Sequence, residues 1–422
     1  MNESSLTTFT LLRHKVLLMN NFISSIESAL LPLTGNLHVS GSEPKAITHQ
    51  WAQSIATDSS LFGAIPKSRV VSQLKIAGLY STKEEFRSRL FKEIVFPPPS
   101  NPKFQFIDLF AGIGGFRIAL QQQGGTCVFS SEWDKAAQAT YERNYGELPF
   151  GDITSFTSEE VTDSALDALI PDHEILAGGF PCQPFSHAGV SARTAVGKEH
   201  GFKCNTQGTL FFDIMRIAFV KKPKVLFLEN VKNIKSHDGG RTFQVIKDSI
   251  EELGYNFEFS IIDSSTLVPQ RRRRCYMVCF RKDLNIDYAF PSFDGIPLAL
   301  NSILETHPDE KFTISDKLWA GHINRTRRNL DRGTGFTAFT ADLTKPSATL
   351  VARYGKDGKE CLIPQIDKNP RLLTPRECAR LQGYPDSFLF PEAKTPAYRQ
   401  FGNSVTVPVV TRIAESILGA LK

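Results

Sequence analysis

Between residues 104 and 229, short apolar runs alternate with helical segments, and this alternation restricts the fold more than any other feature. The runs at 104–110, 126–130, 150–153, 174–178 and 224–229 read as strands, and 116–123 and 210–220 as helices among them. Strands separated by helices cannot close as hairpins. They must cross over, which gives a mainly parallel sheet covered on both faces. The expected class is therefore a doubly wound α/β fold. A chain of 422 residues has room for one such domain and one or two smaller parts.

The remaining segments bracket that domain. Residues 1–96 carry helical apolar spacing at 16–31 and at 68–90, with a break at Ala77-Gly78. Helix–glycine–helix fits a helix-turn-helix, but it fits a plain helical cap more often, so the expectation is an N-terminal helical extension. Pro97-Pro98-Pro99-Ser100-Asn101-Pro102 reads as a stiff linker. The sheet domain is expected over 103–281. Residues 282–370, rich in Gly, Thr, Asp, Arg and Pro, lose the regular pattern and read as a smaller irregular lobe. Residues 371–422 return as helices. One starts with Thr374 as N-cap, Pro375 at N1 and Glu377 at N3, and the other covers 407–421.

Composition excludes several classes. No window approaches the roughly 18 apolar residues of a membrane span, and Val16-Leu17-Leu18-Met19 is too short for a signal peptide. Seven cysteines without CxxC pairs or zinc spacing fit a reducing cytosol and no metal site. A net charge of +5 permits a polyanionic partner without requiring one.

Two turns carry the chemistry. In Phe106-Ile107-Asp108-Leu109-Phe110-Ala111-Gly112-Ile113-Gly114-Gly115 a strand runs through glycines into a helix, which suits close approach of a nucleotide-like ligand. The spacing is not the dinucleotide fingerprint, so a nicotinamide is disfavoured. Glu132, at the end of the next strand, is positioned for ribose hydroxyls. Trp133 can stack on adenine, and Asp152 can take its amino group. Together they suit an adenosyl ligand, S-adenosylmethionine. The second turn is Gly178-Gly179-Phe180-Pro181-Cys182-Gln183-Pro184. A thiol between prolines at a strand mouth is displayed as a nucleophile would be, although a lone cysteine is more often a small core residue.

Glu229 closes the strand after that turn and can hydrogen-bond or protonate a bound base. Four arginines at 271–274 precede the apolar Tyr276-Met277-Val278. On a strand, Arg272 and Arg274 would share one face, and Arg271 and Arg273 the other.

Taken together these segments resemble the DNA cytosine-5 methyltransferase family. The resemblance runs from residue 104 to the C-terminus, the irregular lobe excepted. Its motifs are DLFAGIGGF (108–116), GGFPCQPFS (178–186), ENV (229–231), QRRRR (270–274), LTPRECARLQGYPDSF (373–388) and QFGNSV (400–405). Within the lobe, the stretches 332–336 and 349–354 look like bacterial members of the Dcm/EcoRII type, which modify CC(A/T)GG, and their CCNGG and CCGG relatives. The resemblance implies an S-adenosylmethionine-dependent, Rossmann-like methyltransferase sheet with a target-recognition lobe. Cys182 would be the nucleophile and Glu229 the contact to ring nitrogen 3 and the exocyclic amine. Arg274 would meet the base carbonyl, supported by Arg272. Phe110, Gly112, Ile113, Gly114, Glu132, Trp133, Asp152, Ile153, Asn403 and Val405 would hold the cofactor, with Pro181 lining the pocket. Arg325, Arg327, Arg328, Arg332 and Arg353 of the lobe are the candidate DNA contacts. Arg273 stands where an acidic residue is usual, removing a possible ion pair, and Cys279 stands where glycine is usual.

The implied protein is a bacterial, cytoplasmic, nucleoid-associated monomer. Duplex DNA is its partner, and a cognate restriction endonuclease would share its site without a stable complex. Two alternatives stand beside it: a tRNA cytosine-5 methyltransferase, and an additional transcriptional regulator acting through residues 1–96.

Overall fold

The computed structural model of the protein describes residues 22–35, 37, 43–92, 94–181, 210–333 and 340–422. Six strands form its main sheet: β1 (Phe104–Leu109), β2 (Gly125–Ser131), β3 (Ile175–Gly179), β4 (Val225–Val231), β5 (Tyr255–Asp263) and β6 (Arg273–Arg281). Their order is β2-β1-β3-β4-β6-β5. β2 and β3 both pair parallel to β1, with Asp108 opposite Ser130 on one side and Ala177 on the other. The chain steps outward from β1 to β2, then returns past β1 to β3. That reversal is the point at which doubly wound sheets bind ligands, beyond the carboxyl ends of the strands. Strands buried on both faces read as continuous apolar runs; β2 is buried throughout.

One expected strand is absent. Residues 150–153 form only an isolated bridge, Phe150 to Ser131, and the chain turns at once into the short helix Thr154–Thr157. Phe150 is buried for a different reason: it stacks with Phe129 at 4.8 Å and meets Phe62 at 4.5 Å. In the other direction, β5 is a strand that the apolar pattern did not reveal, because its burial is irregular along its length.

Two compact units are distinguished. Among the described residues, the first gathers those within Met1–Leu228, Ser236–Phe257 and Val278–Ile286; the second gathers those within Glu229–Lys235, Glu258–Met277 and Asp287–Lys422. In the first, helical residues 22–30 and the helices Pro44–Thr57, Lys67–Ile76 and Lys83–Phe91 precede β1. The break at Gly78 is real: Gly78 has φ 68°, and Thr82 caps the following helix by accepting from the Glu85 N–H. Residues 96–98 are tied down, since Gln121 donates to the Phe96 carbonyl and Arg87 to that of Pro98.

In the second unit the irregular lobe contains a sixteen-residue helix, Asp316–Asp331, capped by Ser315. The sequence pattern missed it because only His322 and Thr326 are buried, a stripe too narrow and too polar to stand out. A hairpin of β7 (Ile363–Gln365) and β8 (Lys368–Arg371) follows. The helix Pro375–Leu381 starts with the expected capping box between Thr374 and Glu377. Glu377 is also held by the buried Arg371 through two 2.8 Å bonds. The helices Lys394–Asn403 and Val407–Ala420 complete the unit. Among the described residues, no helix is long and apolar enough to cross a membrane.

Candidate active site

The turn after β1 is built from conformations that ordinary residues avoid. Phe110 has φ 55°, Gly112 56° and Gly114 84°. Glycine adopts them freely, but Phe110 is held there only where surrounding contacts fix it. The Ala111 N–H donates to the Ser131 carbonyl, and the Gly114 N–H to the Ala111 carbonyl at 2.8 Å. Glu132 reaches across from the end of β2. One of its carboxylate oxygens accepts from the Gly112 N–H and the other from the Asp134 N–H, both at 2.8 Å. Each oxygen keeps a lone pair for a hydroxyl donor. Burial pushes the Glu132 pKa up, against those backbone donors. Ile113 is buried, and Gly112 has open space around its α-carbon.

The neighbouring groups are presented outward. Trp133 is 74% exposed, although a large indole is usually covered. Asp152 is exposed, and its carboxylate accepts from the Thr154 N–H. Ile153, next to it, is buried. The bridge at Phe150 brings this loop beside β2. A free indole face, an oriented carboxylate with spare lone pairs and an exposed acid fit an adenosyl ligand by the chemistry of the donor set. Pro181 is exposed just past β3. Cys182, and with it the rest of its turn, lies outside the described residues.

Two side chains of the helix Leu210–Lys221 hold the loop after Asp152, and the sequence reading named neither. Arg216 donates to the carbonyls of Thr157 at 2.6 Å and Ser158 at 2.7 Å. The Asp213 carboxyl lies 2.5 Å from the Thr157 hydroxyl, which also lies 3.1 Å from the Ile153 carbonyl. Burial raises the Asp213 pKa to about 6, with Asp152 adding to the rise.

In the second unit Arg274 and Glu229 form an ion pair, Nε to Oε1 at 3.1 Å. Burial raises the Glu229 pKa, while Arg274 and then Arg272 oppose the rise. The arginine run alternates as expected, although β6 begins only at Arg273: Arg272 is buried and Arg274 half-buried, while Arg271 and Arg273 are exposed. Arg272 donates to the carbonyls of Leu350, Gly402 and Ser404. Burial, and secondly Arg274, lower its pKa to about 9. Asn403, exposed, and Val405, buried, flank the Ser404 that it holds. Arg273 does not leave its loop without an ion pair, since it meets Asp263 at 3.0 Å. Cys279 is buried within β6.

Four candidate DNA contacts, Arg325, Arg327, Arg328 and Arg332, are exposed on or just past the helix Asp316–Asp331. Arg325 lies 3.5 Å from Asp357, and the exposed Arg353 lies 3.8 Å from Glu360.

These features coincide with a recognised family. Residues 104–419 match the model for C-5 cytosine-specific DNA methylases. Type II methyltransferase M.NlaX of Neisseria lactamica is 48% identical over 324 residues, covering 75% of this chain and 97% of that protein. Type II methyltransferase M.SsoII of Shigella sonnei is 46% identical over 332 residues, 77% and 83% of the two chains. The DNA-cytosine methyltransferase of Escherichia coli K12 is 40% identical over 378 residues, 77% and 80%. Among solved structures, an S. pombe Dnmt2 methyltransferase has the same fold, with a TM-score of 0.57 at 18% identity over 76% of this chain and all of that one. The chain belongs to the C-5 cytosine-specific DNA methylase family. It is a DNA-cytosine methyltransferase, and the methyl donor of this family is S-adenosylmethionine.

Proposed function

We propose that the protein methylates carbon 5 of cytosine at a specific duplex site, through a covalent bond from Cys182 to a base flipped out of the helix. The observation that carries this reading is the buried Glu229 carboxyl paired with Arg274. Carbon 5 is a poor nucleophile until something adds at carbon 6. The Cys182 thiolate would add there, making the ring enamine-like. As negative charge develops on ring nitrogen 3, the Glu229 carboxyl would donate a proton to it, stabilising that state more than the ground state, as catalysis requires. Arg274 would hold the base carbonyl, with Arg272 supporting. A base must reach both Cys182 and the cofactor, which a stacked base cannot, so flipping is required, at a cost of a few kcal/mol.

Phe110, Gly112, Ile113, Gly114, Glu132, Trp133, Asp152, Ile153, Asn403 and Val405 would hold S-adenosylmethionine, with Pro181 at the pocket edge. When bound, it supplies a methyl group activated by a sulfonium. Removal of the carbon 5 proton and departure of Cys182 then restore the aromatic ring.

Residues 282–370 would read the sequence, with Arg325, Arg327, Arg328, Arg332 and Arg353 as contacts. The proposed site is CC(A/T)GG-like. Support comes from the motifs at 332–336 and 349–354, which look like those of the Dcm/EcoRII type. The protein would act as a cytoplasmic, nucleoid-associated bacterial monomer, and a restriction endonuclease of the same specificity would be its functional partner.

The test is a duplex carrying 5-fluorocytosine at the target. A covalent adduct that survives denaturation is expected with the unaltered protein and not with Cys182→Ala, because fluorine cannot leave as a proton does. An adduct formed by Cys182→Ala would overturn the role of Cys182. Bisulfite sequencing of DNA from expressing cells fixes the site; methylation outside CC(A/T)GG would overturn that assignment.

A further inference from the structure

The helix Pro44–Thr57 is buried along all but its first two residues, and it precedes the family-matched region, which starts at residue 104. Both ends of its Gln53 carboxamide are bonded. The oxygen accepts from Arg117 Nη2 at 2.9 Å, and the nitrogen donates to the Tyr145 carbonyl at 2.7 Å. Both partners bear on the glycine turn. Tyr145 donates its hydroxyl to the Gly114 carbonyl at 2.8 Å, and its ring packs so closely that a Cβ on Gly114 would lie 2.3 Å from it. Arg117, two residues into the helix that Gly115 opens, is wholly buried. It also reaches Gln121, Tyr141 and Glu147, and its guanidinium lies 4.9 Å from the centre of the Tyr145 ring.

The geometry points to Gln53 as a positioning residue of the cofactor site: by holding Arg117 and Tyr145 together, it fixes the Gly114 turn in its ligand-binding shape. This rests on the reading of the turn at 110–114 as the S-adenosylmethionine site. Phe110, a non-glycine at positive φ, is kept there only when neighbours over-determine it, and Gly112 and Gly114, free to take many conformations, need neighbours to fix this one. Gln53 supplies one of those constraints from outside the shared methylase core. The N-terminal extension is thereby part of the cofactor site rather than a separate appendage.

The experiment is calorimetric titration of the full chain with S-adenosylmethionine. Gln53→Met keeps the volume and loses both hydrogen bonds, and Tyr145→Phe loses only the bond to Gly114. Gln50→Met is the control: Gln50 sits on the same buried helix but bonds to Phe62, Ser60 and Val128. Gln53→Met is expected to bind the cofactor about ten-fold more weakly or worse, a factor of ten being about 1.4 kcal/mol, roughly the worth of one hydrogen bond. Its kcat at saturating cofactor should stay near the unaltered value. Tyr145→Phe should weaken binding in the same direction, and it decides the matter if Gln53→Met does not fold. Gln50→Met should bind normally.

Unweakened binding by Gln53→Met and Tyr145→Phe, or equal weakening by Gln50→Met, overturns the proposal. Glu132→Gln separates the two layers. If it too binds normally, the cofactor lies elsewhere and both readings fall. If it binds weakly while Gln53→Met does not, only the role of Gln53 falls.

Discussion

The Nε of Arg274 lies 3.1 Å from Oε1 of Glu229, and both side chains are largely buried. Removing one partner of such a pair leaves a buried charge uncompensated, which typically costs about 3–5 kcal/mol. Arg274→Met removes the stronger of the two arginine influences that hold the Glu229 pKa down. The Glu229 pKa then rises further, so protonation relieves the penalty as pH falls. Urea unfolding should show Arg274→Met more destabilised at pH 8 than at pH 5.5, and adding Glu229→Gln should remove that difference. A deficit independent of pH would show that the pair is not the source.

Asp213 offers a second signed test. Its folded pKa of about 6 exceeds the ordinary carboxylate value. The stability it contributes is therefore complete below the ordinary value and is lost as pH rises through about 6. The Thr157 hydroxyl has one hydrogen and two acceptors within reach, Asp213 and the Ile153 carbonyl. Only a protonated Asp213 lets that hydroxyl serve Ile153. Asp213→Asn keeps a donor at every pH, so it should gain stability relative to the unaltered protein between pH 5 and 7.5. A gap that does not change over that range would refute the assignment.

Gly114→Ala should be costly twice over. Its φ of 84° disfavours any Cβ, and that Cβ would meet Tyr145 at 2.3 Å. Strained positions of this kind cost about 1–3 kcal/mol each. Thermal melts should fall accordingly, and S-adenosylmethionine affinity with them. Adding Tyr145→Leu should recover part of the stability by removing the clash, though not the strain.

The exposed arginines of the helix Asp316–Asp331 can be sorted by salt. An alanine at a phosphate contact should weaken binding to all sequences alike and reduce the salt slope by about one. An alanine at a base contact should cost about 1–3 kcal/mol at one position of the site and relax specificity there. Arg327→Ala and Arg325→Ala, measured by fluorescence anisotropy on matched and mismatched duplexes, separate the two. No change in either would remove that helix from the DNA interface.

What the sequence made legible follows a physical pattern. Strands buried on both faces are continuous apolar runs, so β1 to β4 could be read directly. The glycine turn was legible because positive φ at Gly112 and Gly114 selects the residue type. The bridge at Phe150 was not, because a buried aromatic cluster gives the same apolar run as a strand. The helix Pro44–Thr57 was hidden for the opposite reason. It is buried all round, yet it carries Thr48, His49, Gln50, Gln53 and Ser54. These are polar groups whose partners lie far along the chain, and no local spacing announces them. Gln53, Asp213 and Arg216 belong to that class.

The tie between the extension and the sheet also bears on how the chain is made. Gln53 waits for Tyr145, 92 residues later, and His49 for the Leu148 N–H, 99 residues later. At about 5–20 residues per second of synthesis, that is roughly 5–20 s before these two bonds can form. Trp51, Ile47 and Ile55 are all buried in the finished protein, and part of that cover is local, since the Trp51 indole N–H donates to the Phe62 carbonyl at 2.8 Å. The polar ties between the extension and the sheet domain are thus among the later contacts the first unit can make, because they cannot form until translation has passed residue 148.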